Sequence, residues 1–100
     1  MTGTTRSSAG LASEGLDARR RKLLFRSWHR GLREMDLILG TFADAEIGAL
    51  TSEEIDQYER LLDIPDTEFL PMVTGEHPVP ADIDCAVLQK ILAFRHSMTF

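Results

Sequence analysis

Arg30, Gly31 and Glu34 form the pattern Arg-Gly-x-x-Glu, inside the stretch Ser27-Trp28-His29-Arg30-Gly31-Leu32-Arg33-Glu34-Met35-Asp36. A cation, a bare backbone point and a carboxylate thus fall within five residues. Glycine is at home just past a helix end. Gly31 is therefore expected to end one helix, with Arg30 in its last turn and Glu34 in the first turn of the next. Both placements suit the helix dipoles, at roughly 0.3–1 kcal/mol each. Another backbone could come close between the two charges, and Arg33 and Asp36 enlarge the charged corner. The plain alternative is a helix–helix corner with no further role. Three fixed positions arise by chance in roughly two chains of this length in a hundred, so the motif draws its weight from its surroundings.

Bond-making chemistry has no comparable set of residues. His29, His77 and His96 are far apart in sequence and in unlike settings. Cys85 lies within the last helical pattern and reads as a small buried hydrophobe. No Cys/His pair has metal-ligand spacing, and there is no phosphate-binding glycine loop or nucleophile elbow. The carboxylates fall mostly at helix starts and on polar faces. The expectation is a binding protein with no catalytic residues, no metal site and no cofactor site of its own.

The elements that would hold the corner follow from spacing. Residues 1–17 are rich in Ser, Thr, Gly and Ala and lack an apolar period, so they read as a disordered tail. Residues 18–97 form the expected helical domain. Asp17 is a suitable N-cap for a first helix over Ala18–Arg30. In it Leu24 and Trp28 are four apart, flanked by Leu23 and Phe25. Trp28 either packs into its own core, which its spacing from Leu24 favours, or stands as an anchor for a partner. Arg19 to Lys22 form a basic cluster against the helix dipole. It reads as a solvated or protein-facing surface, because no aromatic stacking platform accompanies it as nucleic-acid binding would need.

A second helix over Leu32–Ile47 carries Met35, Ile38, Leu39 and Phe42 as a core stripe, with Gly40 and Thr41 as a candidate kink. Thr51-Ser52-Glu53-Glu54 is a capping box opening a third helix to about Asp63. Ile64-Pro65 ends it. A short fourth helix begins at Asp66, with Pro71 in its first turns, and stops at Gly75. A last helix, capped near Asp82, runs to about Arg95 with Ile83, Val87, Leu88, Ile91, Leu92 and Phe94 on its apolar side. No strand signal appears. The fold class is all-α, a small bundle of five helices.

Composition bounds the function classes. One hundred residues allow one modest core, and a single cysteine allows no intrachain disulfide. No apolar run approaches the ~18 residues of a membrane span, and no signal peptide is visible. Residues 1–33 hold eight Arg/Lys and two Asp/Glu, a net +6, while residues 34–100 hold three and fourteen, a net −11. The acidic majority disfavours nucleic acid and leaves opposite faces for protein partners.

From about Arg20 to Arg95 the chain resembles the succinate dehydrogenase FAD assembly factors, SdhE in bacteria and succinate dehydrogenase assembly factor 2 in mitochondria. Arg30-Gly31-Leu32-Arg33-Glu34 matches the family's Arg-Gly-x-x-Glu. Its setting also matches, in Met35-Asp36-Leu37, Leu50-Thr51-Ser52-Glu53-Glu54, Tyr58-Glu59-Arg60-Leu61-Leu62-Asp63 and Pro80-Ala81-Asp82. The resemblance implies a five-helix bundle and a chaperone-like assembly factor, not an enzyme. It implies binding to the flavoprotein subunit of succinate dehydrogenase, and in some bacteria of fumarate reductase, with covalent attachment of that partner's FAD. The docking role falls by match on Arg30, Gly31 and Glu34, whose charges would make charge-assisted hydrogen bonds to the partner. His29, Arg33 and Asp36 join by proximity. A monomer in the bacterial cytoplasm, or in the mitochondrial matrix of a eukaryote, is expected. The competing reading is a small interaction adaptor with another partner. The tail is longer than in short bacterial members.

Overall fold

Asp17 opens the first helix: its carboxylate accepts the Arg20 backbone N–H at 2.8 Å. That satisfies one of the donors that every helix start leaves without an intrahelical partner. A computed structural model describes residues 15–98, so the expected disorder of residues 1–14 lies outside the described residues. Five helices are present among them and no strand: α1 Ala18–Trp28, α2 Arg33–Glu46, α3 Ser52–Leu62, α4 Asp66–Thr74 and α5 Ala86–Ser97. The chain divides into two units, with the boundary between Leu50 and Thr51.

In the first unit α1 and α2 pack as an αα-hairpin. Met35, Ile38, Leu39, Phe42 and Ala43 of α2 are fully buried, together with Leu23 and Leu24 of α1. Trp28 belongs to this packing. Its indole lies against Gly40, where an added Cβ would sit 2.2–2.5 Å from ring atoms. Its Nε1–H donates to the Asp44 carboxylate at 3.2 Å. α2 runs unbroken through Gly40. This glycine is the flat place on which α1's tryptophan rests.

The basic start of α1 has an internal explanation. The Arg20 guanidinium donates to the carbonyls of Ile47 at 2.6 Å and Leu50 at 2.8 Å. These lie just past the C-terminus of α2, whose last turn has no basic residue of its own. Arg20 therefore supplies the cation that this negative helix end favours. Arg21 donates to the Leu16 carbonyl. Part of the cluster thus builds the hairpin.

In the second unit the capping box forms as expected. Thr51 Oγ1 accepts the Glu54 N–H at 3.1 Å, and Glu54 Oε1 accepts the Thr51 N–H at 3.0 Å. Both carboxylates that cap helices, Asp17 and Glu54, are held below their ordinary values. The main cause in each is the backbone N–H they accept, from Arg20 and Thr51 respectively. Pro71 lies in the second turn of α4, among the first turns as expected, and removes the N–H that would have met the Thr67 carbonyl. Gly75 closes α4 in the left-handed region at φ +87°.

The last helix starts four residues after Asp82. Residues 81–83 form a turn, with the N–H groups of Ile83 and Asp84 both donating to the Pro80 carbonyl. Cys85 is the N-cap of α5, extended and half-buried, not a buried residue inside the helix. No side chain next to the helix start caps it. Gln57 of α3 does so instead: its Oε1 accepts the Val87 N–H at 3.2 Å. Lys90 and Glu54 add an ion pair at 2.9 Å between the same two helices. Val87, Leu88 and Ile91 are buried, whereas Ile83, Leu92 and Phe94 are only half-buried.

Candidate functional site

The corner is the connection from His29 to Leu32, between α1 and α2. α1 ends at Trp28, two residues earlier than expected, and His29 leaves helical geometry at φ −129°, ψ 51°. Its imidazole explains the stop. Nδ1 lies 2.7 Å from the Phe25 carbonyl oxygen, which a continuing helix would have paired with the His29 N–H. A carbonyl only accepts, so Nδ1 carries the hydrogen, and in the neutral ring Nε2 is left as the acceptor. The same imidazole stacks on the Phe25 ring, with centroids 3.9 Å apart and planes 17° from parallel.

Arg30 therefore lies between the helices and not in the last turn of α1. Its backbone N–H donates to Asp36 Oδ1 at 2.6 Å. This bond ties the connection to the first turn of α2, whose N-cap, Leu32, has no capping side chain. Asp36 is half-buried, and its carboxylate shapes the corner from within. Gly31 has φ +91°, in the left-handed region where a side chain is strained, and a Cβ there would meet nothing within 4 Å. The glycine is needed by the turn and faces open space. Arg33 and Glu34 are exposed at the start of α2, where Glu34 suits the helix dipole.

The six residues singled out in the sequence thus share one corner, and the bond from the Arg30 N–H to Asp36 is internal to it. Two residues outside that set belong to the same place. Phe25 is 61% exposed and Leu32 is 40% exposed. Phe25 flanks the apolar stripe in sequence. Its i, i+4 relation to His29 and i, i+3 relation to Lys22 is the signal that assigns it to the outer face.

Elsewhere the chemistry is sparse. Among the described residues no group of three or more His, Cys, Asp or Glu side chains is arranged to hold a metal ion. No helix among them is long and apolar enough to cross a membrane. In the second unit, a cleft of about 340 Å³ is lined by His77, Leu92, Arg95 and His96 among others. A smaller one of about 200 Å³ is lined by Gln57, Arg60, Asp82 and Cys85 among others.

Comparison with known proteins places this corner in a family. Residues 21–95 match the family described as Flavinator of succinate dehydrogenase. The FAD assembly factor SdhE of Acetobacter pasteurianus is 36% identical over 86 residues, covering 86% of this chain and 79% of that protein. The mitochondrial succinate dehydrogenase assembly factor 2 of Caenorhabditis briggsae is 32% identical over 89 residues, covering 86% of this chain and 73% of that protein. Its counterpart in Mycosarcoma maydis is 38% identical over 72 residues, covering 72% of this chain and 30% of that protein. The chain spans about half or less of several mitochondrial relatives that it matches. No solved structure matches it. With three quarters of its length inside the family match and the motif at an open turn, the chain belongs to the flavinator of succinate dehydrogenase family.

Proposed function

We propose that the chain docks through Arg30, Gly31 and Glu34 onto the flavoprotein subunit of succinate dehydrogenase and so promotes covalent attachment of FAD. The chain is an assembly factor by family and not an enzyme. The observation that carries the docking reading is Gly31: a left-handed glycine facing open space, with charged residues on both sides. A partner backbone can come close there, and Arg30 and Glu34 add charge-assisted hydrogen bonds at its edges. Arg33 and His29 widen this surface. Asp36 acts through the Arg30 N–H that it holds.

A helper of this kind needs no reactive group. It binds the flavoprotein conformation in which the acceptor side chain and the flavin ring are in near-attack geometry, and thereby raises that conformation's population. FAD belongs to the partner. A fumarate reductase flavoprotein is a second candidate of the same chemistry. The chain acts as a monomer, in the cytoplasm if bacterial and in the mitochondrial matrix if eukaryotic.

The test is covalent flavin on the flavoprotein subunit, read by fluorescence after denaturing electrophoresis, in cells lacking the chain, carrying it, or carrying Glu34→Ala. Flavin restored by the wild type and not by Glu34→Ala is the expected result. Equal flavin in all three removes the assembly role and favours an adaptor with another partner. Gly31→Ala and Gly31→Arg refine it in purified protein. Both carry the left-handed strain of roughly 1–2 kcal/mol. Similar melting with a much larger binding loss for Arg isolates the close approach from the strain.

A further inference from the structure

We infer that the docking surface continues from the motif up the outer face of α1, where Phe25, with His29 stacked on it, and Leu32 form an apolar anchor for the flavoprotein. This rests on the docking reading above and extends it to residues outside the motif. A single exposed phenylalanine needs no explanation. Here the two exposed large hydrophobic side chains among the described residues lie close to one turn: Phe25 is in the last turn of α1, and Leu32 ends the four-residue connection that contains Gly31. Leu23 and Leu24 of α1 and Met35, Ile38, Leu39 and Phe42 of α2 are buried, Leu37 is half-buried, and Trp28 is laid on Gly40.

The anchor is also preformed. The His29 ring is fixed from one side by the Phe25 carbonyl at 2.7 Å and from the other by the Phe25 ring at 3.9 Å. Ordering it on binding therefore costs little rotamer entropy, the property of aromatic hot spots. Nε2 of His29, an acceptor in the neutral ring, lies at its rim. Lys22, one turn back on the same face, and Arg33, beyond Leu32, are exposed cations bordering the apolar pair. The complementary surface is an apolar recess rimmed by carboxylates and offering one hydrogen-bond donor. We assign that surface to the flavoprotein subunit, because the anchor is continuous with the glycine at which its backbone approaches.

The experiment uses the full chain and purified flavoprotein subunit, with binding measured by calorimetry and folding by thermal melting. Phe25→Ser is expected to melt like the wild type and to bind at least about tenfold more weakly. Phe25→Tyr, which keeps the ring, is expected to bind within about threefold of the wild type. If Phe25→Ser binds like the wild type while Gly31→Arg does not, this extension is wrong and the motif reading stands. If Gly31→Arg also binds like the wild type, or the wild type does not bind, the docking reading itself falls and the extension with it. Sedimentation of the chain alone adds one more outcome: a dimer dissolved by Phe25→Ser would mean that a second copy covers the anchor, and would overturn the assignment to the flavoprotein.

Discussion

Gly40 shows how much one missing methyl group can decide. In the sequence it stands out as a glycine inside a helical stripe, and the natural reading is a kink. The helix is not broken there; the residue answers to Trp28, twelve positions back, whose ring occupies the space of a Cβ. Gly40→Ala would gain helix propensity, yet it must push a flat, packed indole off the backbone. The expected outcome is a net loss of about 1–3 kcal/mol in chemical denaturation, with the Trp28 fluorescence shifted. A gain in stability would mean that the indole moves freely. The oddity was visible in the sequence. Its cause was not, because which face of α1 meets α2 is set by the packed pair. Phe25 escaped notice for the same reason, while the motif, whose members are neighbours in the chain, did not.

Helix starts make the same distinction at the level of elements. α3 was legible to the residue because Thr51 and Glu54 cap it from within four positions. α5 was misplaced because its cap, Gln57, comes from another helix. The two capping carboxylates also make stability depend on acid. Asp17 and Glu54 are held below their ordinary values of 3.8 and 4.5 by the backbone N–H groups that they accept. A lowered folded-state value means that their stabilisation is complete above those ordinary values and is lost as pH falls through the lowered ones. Stability should therefore be flat above about pH 5 and decline below it. Glu54→Gln should make the decline shallower, as measured by denaturant midpoints across pH 2–7. A decline unaffected by that substitution would assign the acid limit to other carboxylates.

Across the whole chain, charge is divided between a basic first third and an acidic remainder. Arg20 joins the two helices of the hairpin through backbone carbonyls and Arg21 holds the Leu16 carbonyl before α1, whereas exposed Lys22 and Arg33 border the proposed docking corner. Association with the flavoprotein should therefore slow as salt rises, since the Debye length shortens to about 8 Å at 0.15 M, while the dissociation rate changes less. Stopped-flow association rates over a salt series would show this. A salt-independent rate would leave the apolar anchor and the glycine as the whole of the recognition. The class of fold was legible throughout, because apolar spacing alone carries it. The proposed docking surface could be read from the sequence only where it is contiguous in the chain.

Arg20 has a consequence for how such a chain can drift over generations. It grips the carbonyls of Ile47 and Leu50, atoms that every amino acid possesses. The exposed positions between them, Gly48 and Ala49, can therefore change without disturbing the grip. The arginine has no such freedom, since Nη1 holds both carbonyls while Nε reaches Asp17 at 3.4 Å, and lysine offers a single ammonium for both tasks. The lineage can rewrite that loop's letters while the residue that reads its backbone stays put.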